Sequence, residues 1–217
     1  MDLAPEILAA SQTVATQALG GVRPSWQAQD ADSDETFPRQ SCTPIYAAPG
    51  SGAQMLIAFR ATRDAMRDSI GLIGGNPVDA APFFQLGAYS LDTQSGAMGL
   101  LGKTQNMRTM FTPEFIERRF YAYNSFQVRA GQYYVLSLAW WQNNVAAASC
   151  LQGLGAPQSN INPPFGSALG AMARTRTWST RPADDVYMPE SLSWSSLSST
   201  GSTYFPYLYL CSGGDLL

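Results

Sequence analysis

At 217 residues the chain is long enough to bury one sizeable core, and its net charge of −3, from 13 basic and 16 acidic side chains, leaves no basic excess for nucleic-acid binding. It contains no histidine, which excludes Ser-His-Asp and Cys-His catalysis, HExxH zinc sites and His-containing metal triads. Charged residues form 13% of the chain, about half the usual share, so the polar surface must be built from Ser, Thr, Gln and Asn, which suits an assembled or exported component.

The basic side chains are arginines apart from Lys103, and they cluster only briefly, at Arg60, Arg63 and Arg67 and at Arg174 and Arg176. Cys42, Cys150 and Cys211 are odd in number and lack CxxC spacing, so buried thiols are expected rather than a disulfide framework or a thiolate metal site. No apolar run is long enough for a membrane helix, and the Met1-Asp2 start carries no basic residues ahead of its apolar positions, so neither membrane insertion nor a Sec signal is expected.

In chain order, residues 2–19 place Leu3, Ile7, Val14 and Ala18 on one helical stripe, with Pro5 in the first turn and Gly20-Gly21 as the stop. The stripe is thin and alanine-rich, which predicts a short helical arm needing a partner surface. Residues 21–39 carry Asp30, Asp32, Asp34 and Glu35. A calcium loop would need glycine and glutamate at its sixth and twelfth positions, where Glu35 and Ser41 stand, so a solvated linker is expected. This divides the chain into an arm and acidic linker over 1–40 and a main domain over 41–217.

Beyond Pro49-Gly-Ser-Gly52, short runs separated by turn residues predict strands at Gln54–Thr62, Asp68–Ile73, Phe83–Leu91, Gly99–Thr104, Arg118–Tyr123, Gln132–Trp141 and Tyr204–Cys211. Turns are expected at Asp92–Gly96 and Arg129–Gly131, the first closing a hairpin. Thr112-Pro113 ahead of EFIERR reads as a capped helical turn, and 142–170, rich in Asn, Gln, Ala, Gly and Pro, as a long loop. The fold class is all-β: an antiparallel β-sandwich of jelly-roll type with a short N-terminal helical arm.

Three segments, LGAYSLDTQSGAMGLLG, FQVRAGQYYVLSLAWW and VYMPESLSWSSLSSTGSTYFPYLYLCSGG, together resemble the β-sandwich domains of minor tail proteins of tailed bacteriophages, particularly those of actinobacteria. The resemblance spans roughly residues 54–211 and rests on turn and strand patterns. It implies a virion location at the tail tip or on a fibre. Its implied partners are copies of itself, often as a trimer, and other tail proteins, with roles in assembly or host-surface attachment.

Glycosidase chemistry would need two facing carboxylates. Glu114 and Glu117 sit among arginines, and Asp184, Asp185 and Glu190 read as surface loop, so no enzyme activity, metal or other cofactor is expected. Aromatic residues carry the better functional signal. In residues 133–141 both strand faces are apolar: Tyr134, Leu136, Leu138 and Trp140 are expected inward, and Tyr133, Val135, Ala139 and Trp141 outward against another subunit. Tyr133, Trp141 and Trp178 are the candidate ligand or interface rings. The alternative reading is a glycan-binding β-sandwich module in which such rings stack on host cell-wall carbohydrate.

Overall fold

A computed structural model describes residues 34–36, 43–47, 53–75, 83–107, 116–141, 151–157, 172–174, 188–197 and 204–213. The first sheet contains β1 (Asp34–Glu35), β2 (Thr43–Ala47), β4 (Ala65–Gly75), β7 (Ile116–Val128), β9 (Leu151–Pro157), β12 (Tyr204–Pro206) and β13 (Leu208–Cys211). The second runs β10 (Met172–Arg174), β3 (Ala53–Arg60), β8 (Tyr133–Trp141), β5 (Phe83–Leu91), β6 (Ala97–Lys103) and β11 (Ser191–Ser193). All the pairings are antiparallel. The chain is therefore all-β, as its punctuated short runs predict.

The pairings are nested. β5 pairs β6, β4 pairs β7, β3 pairs β8 and β2 pairs β9, alternately in the second and first sheets. Met55, Ile57, Phe84, Leu86, Leu136 and Leu138 of the second sheet meet Ile70, Leu72, Phe120, Phe126, Leu208 and Leu210 of the first in one buried cluster. Period-2 alternation turns one set of side chains of strands such as β3, β5 and β8 into this layer, whereas all four residues of β13 lie in the cluster.

The segment 125–141 crosses between the sheets. Phe126 and Val128 end β7 in the core, Gly131 turns at φ 80°, and β8 begins in the opposite sheet. The expected inward set Tyr134, Leu136 and Leu138 packs there. The outward set requires a correction. Val135 and Ala139 cluster with Leu56, Ala58 and Tyr89 beneath Met188 and Trp194, so in this region the chain covers its own second face. Met188 Sδ lies where a Cβ on Gly87 would stand, and Ser137 Oγ is 3.3 Å from that sulfur. Burying each of two such large side chains contributes about 1.5–3 kcal/mol. The side chains of Trp140 and Trp141 lie outside the description.

Four further expectations change. Residues 116–119 of the predicted helical turn are strand, because Glu117, Arg118 and Arg119 pair with Ile73, Leu72 and Gly71 of β4. A continuous ladder supplies more backbone hydrogen bonds than one capped turn. Within the predicted loop 142–170, LQGLGAP forms β9, paired with β2, β12 and the end of β4. The expected last strand breaks at Tyr207: β12 pairs β9, and β13 pairs β4.

The described part of the acidic linker is an edge strand rather than solvated. Asp34, 3% exposed, holds Arg67, 1% exposed, through Nε at 2.9 Å and Nη2 at 2.7 Å on one carboxylate oxygen. Glu35 accepts from Tyr207 Oη at 2.7 Å, and Thr36 Oγ1 donates to the Leu208 carbonyl at 2.9 Å. Cys211 is buried in the core cluster. The predicted arm over 2–19, residues 112–115, Cys42, Cys150, Asp184 and Asp185 lie outside the described residues.

Candidate functional site

Two turns meet at one end of the second sheet. Register places Leu91 of β5 and Arg60 of β3 on either side of Tyr133, the first residue of β8. The β5–β6 turn therefore stands beside the β7–β8 corner. Between them lies an open cleft of about 720 Å³, lined by Ser90, Asp92 and Thr93 from the hairpin, Gly99 from β6, and Gly131, Gln132 and Tyr133 from the corner.

Both walls are fixed by hydrogen bonds. In the hairpin, Asp92 N donates to the Ala97 carbonyl at 2.9 Å and Gly96 N to the Asp92 carbonyl at 2.8 Å, with Gly96 at φ 72°. The Asp92 carboxylate takes the Ser95 hydroxyl and, at 3.0 Å, the Gln94 N–H. These bonds, the Ser95 one foremost, hold its carboxyl below the usual aspartate range. From beneath, Trp194 N donates to the Gly96 carbonyl at 2.8 Å, so the closing segment pins the hairpin tip.

The corner is tied to the chain leaving β3. Gly131 N donates to the Ala61 carbonyl at 2.8 Å, Ala61 N to the Gln132 carbonyl at 2.9 Å, and Ala130 N to Asp64 Oδ1 at 2.7 Å. Arg60 Nε donates to the Gly131 carbonyl at 3.0 Å, and its guanidinium carbon lies 6.0 Å from the Tyr133 ring centroid. That distance allows a cation–π attraction, which fixes the half-buried ring at the cleft edge.

Of the three candidate rings, Tyr133 belongs to this cleft. Trp141 ends the same strand opposite Phe83, roughly 26 Å along β8 from Tyr133 at the usual rise per residue, and its side chain is not described. Trp178 lies outside the described residues. Ser90, Asp92, Thr93 and Gln132 were not anticipated as site residues. Both turns were legible, but their adjacency depends on a register between strands distant in sequence.

No constellation for covalent chemistry forms among the described residues. Glu117 accepts from Tyr209 Oη at 2.6 Å and lies 3.8 Å from Arg119, while Glu190 is exposed. No group of three metal-ligating side chains occurs among the described residues.

Behind the cleft, burial pushes the Tyr89 hydroxyl well above the usual tyrosine range, against a lowering effect from Gln54 Nε2 at 3.1 Å. Tyr209 is pushed up by burial first and then by the Glu117 charge. The protonated form is favoured in the fold, so both contributions are fully present below about pH 10 and are lost as pH rises through the folded values. In an alkaline titration, Tyr89 and Tyr209 should therefore ionise only as the protein unfolds, seen as a step in tyrosinate absorbance coincident with loss of β circular dichroism. Loss of that step in the Tyr89→Phe/Tyr209→Phe double variant would confirm the assignment.

No family model matches the chain, and no match is found among curated proteins.

Proposed function

We propose that the chain is a structural virion component, a minor tail protein of the tail tip or fibre that serves tail assembly and host-surface attachment. We infer the finer fold to be a jelly roll. Nested pairing of β2 with β9, β3 with β8, β4 with β7 and β5 with β6, split alternately between two sheets, is the connectivity expected of that wrapped hairpin.

One observation carries the functional reading. Parts of the three sequence segments that resemble phage tail sandwiches, distant in the chain, come together on the second sheet. The hairpin of β5 and β6 lies next to β8, and the closing segment lies on both: β11 pairs β6, Met188 covers Gly87 and Ser137, and Trp194 supports Gly96. The exposed Met66, Tyr121 and Tyr123 on β4 and β7 supply apolar surface for neighbouring subunits.

Light scattering tests the reading directly. The expected result is a homotrimer at about three times the 23.4 kDa chain mass, together with co-sedimentation of the chain with tail particles when the neighbouring tail genes are co-expressed. A monodisperse monomer that stays out of particles would overturn it.

A further inference from the structure

We propose that the cleft between the β5–β6 turn and the β7–β8 corner is a binding site for a neutral saccharide. This deepens the attachment role proposed above and rests on it. The observations are the shape, lining and rigidity of the cleft.

A volume of about 720 Å³ is within the range of small-ligand sites, and the cleft is open, as a site for the end or side of a chain must be. Its polar lining residues are Ser90, Asp92, Thr93 and Gln132, and Tyr133 is its aromatic member. A saccharide presents hydroxyl groups around a ring edge and C–H groups on a ring face. The first need mixed donors and acceptors, and the second pack on an aromatic ring.

Asp92 favours a donor-rich ligand. A carboxylate has about four lone-pair directions, and the Ser95 O–H, the Gln94 N–H and the Ser95 N–H take three of them, leaving a direction for a ligand hydroxyl. Among the described lining residues the charge is that of Asp92, while Arg60, with its Nε on the Gly131 carbonyl, stands outside the lining beside Tyr133, so the lining itself favours a neutral ligand over an anionic one. Of the apolar lining residues Leu91 and Met98 are buried, so the apolar surface left to a ligand is that of Ala97 and Tyr133. Since both turns are pinned, little ordering would accompany binding. An open site of this kind binds weakly, and a trimer would add avidity by presenting three copies.

The test uses the full chain with soluble neutral arabinan, galactan, mannan and glucan oligosaccharides, and a uronic-acid oligosaccharide as the anionic arm. Binding is followed by calorimetry and by amide shifts of Thr93, Gly131 and Gln132. At least one neutral glycan should bind and shift these amides. Tyr133→Leu should weaken it roughly tenfold, the scale of an aromatic contact. Thr93→Ala should weaken it less, and the distant exposed Tyr123→Ala not at all. Both controls sit on exposed residues, so they keep the test sound if Tyr133→Leu perturbs folding. Binding of only the uronic-acid glycan, equal loss in Tyr123→Ala, indifference to both cleft substitutions, or no binding in any arm would overturn the proposal. Tail assembly is scored separately by particle association, so either reading can fail while the other stands.

Discussion

Replacing Arg67 with methionine is expected to lower the unfolding free energy by about 3–5 kcal/mol, read as a fall in the urea midpoint at unchanged slope. The reason is the partner left behind. Asp34 is 3% exposed and places one oxygen on both Arg67 nitrogens, while its other oxygen, also buried, has no hydrogen-bond partner among the described residues. Without the guanidinium, a buried carboxylate must stay unpaired, take up a proton, or pull the strand at 34–36 away from β13. The last route would release the Glu35 and Thr36 bonds to Tyr207 and Leu208 together. Substituting both members, Arg67→Met with Asp34→Leu, should recover most of the loss, because well-packed apolar replacements of a buried pair are often neutral or better. A double variant as unstable as the single would show that geometry at the β1 edge, rather than unpaired charge, sets the cost.

That ion pair also marks where local sequence reasoning stops. Asp34 belongs to an acidic, proline-flanked stretch whose composition suggests solvent, and nothing near it in sequence announces an arginine 33 positions away on β4. Strands with clear alternation and glycine turns were legible: Phe83–Leu91 has the expected bounds, and Gln132–Trp141 differs only in starting at Tyr133. β9 was illegible because LQGLGAP has little intrinsic strand preference and is held by pairing on both sides. For the same reason, IERR at 116–119 looked helical until β4 supplied its ladder.

The candidate site divides along the same line. Tyr133 stood out as one of two adjacent tyrosines on a two-faced strand, yet an apolar second face says only that something must cover it. Here Met188 and Trp194, about fifty residues downstream, cover Val135 and Ala139 and leave the Tyr133 end open beside the hairpin. Attachment chemistry, if it resides in this cleft, therefore depends on a segment whose own residues supply support rather than contact.

The second large effect is expected at Gly71. It sits in mid-β4 with Tyr209 of β13 on one side and Arg119 of β7 on the other. The Tyr209 ring lies across it: a Cβ added to Gly71 would fall on that ring's Cζ, Cε1 and Oη, far inside contact distance. A glycine facing an aromatic across a strand pair lets the ring cover the backbone and reach a distant partner, here the Glu117 carboxylate at 2.6 Å. The ring is fully buried and packs at a tilt against Tyr207, with centroids 5.5 Å apart, so it has no room to yield. Gly71→Ala should therefore lower stability by about 3 kcal/mol or more, between the usual overpacking loss and that of deleting a buried aromatic. Tyr209→Phe should lose less, about 1.5–3 kcal/mol for a hydrogen bond to a charged group, because the ring remains. The decisive measurement is a thermodynamic cycle by urea denaturation. Gly71→Ala combined with Tyr209→Ala should be far less destabilised than the sum of the two single variants, since removing the ring makes room for the methyl group. Additive losses would mean that Gly71 is required for some reason other than the tyrosine above it.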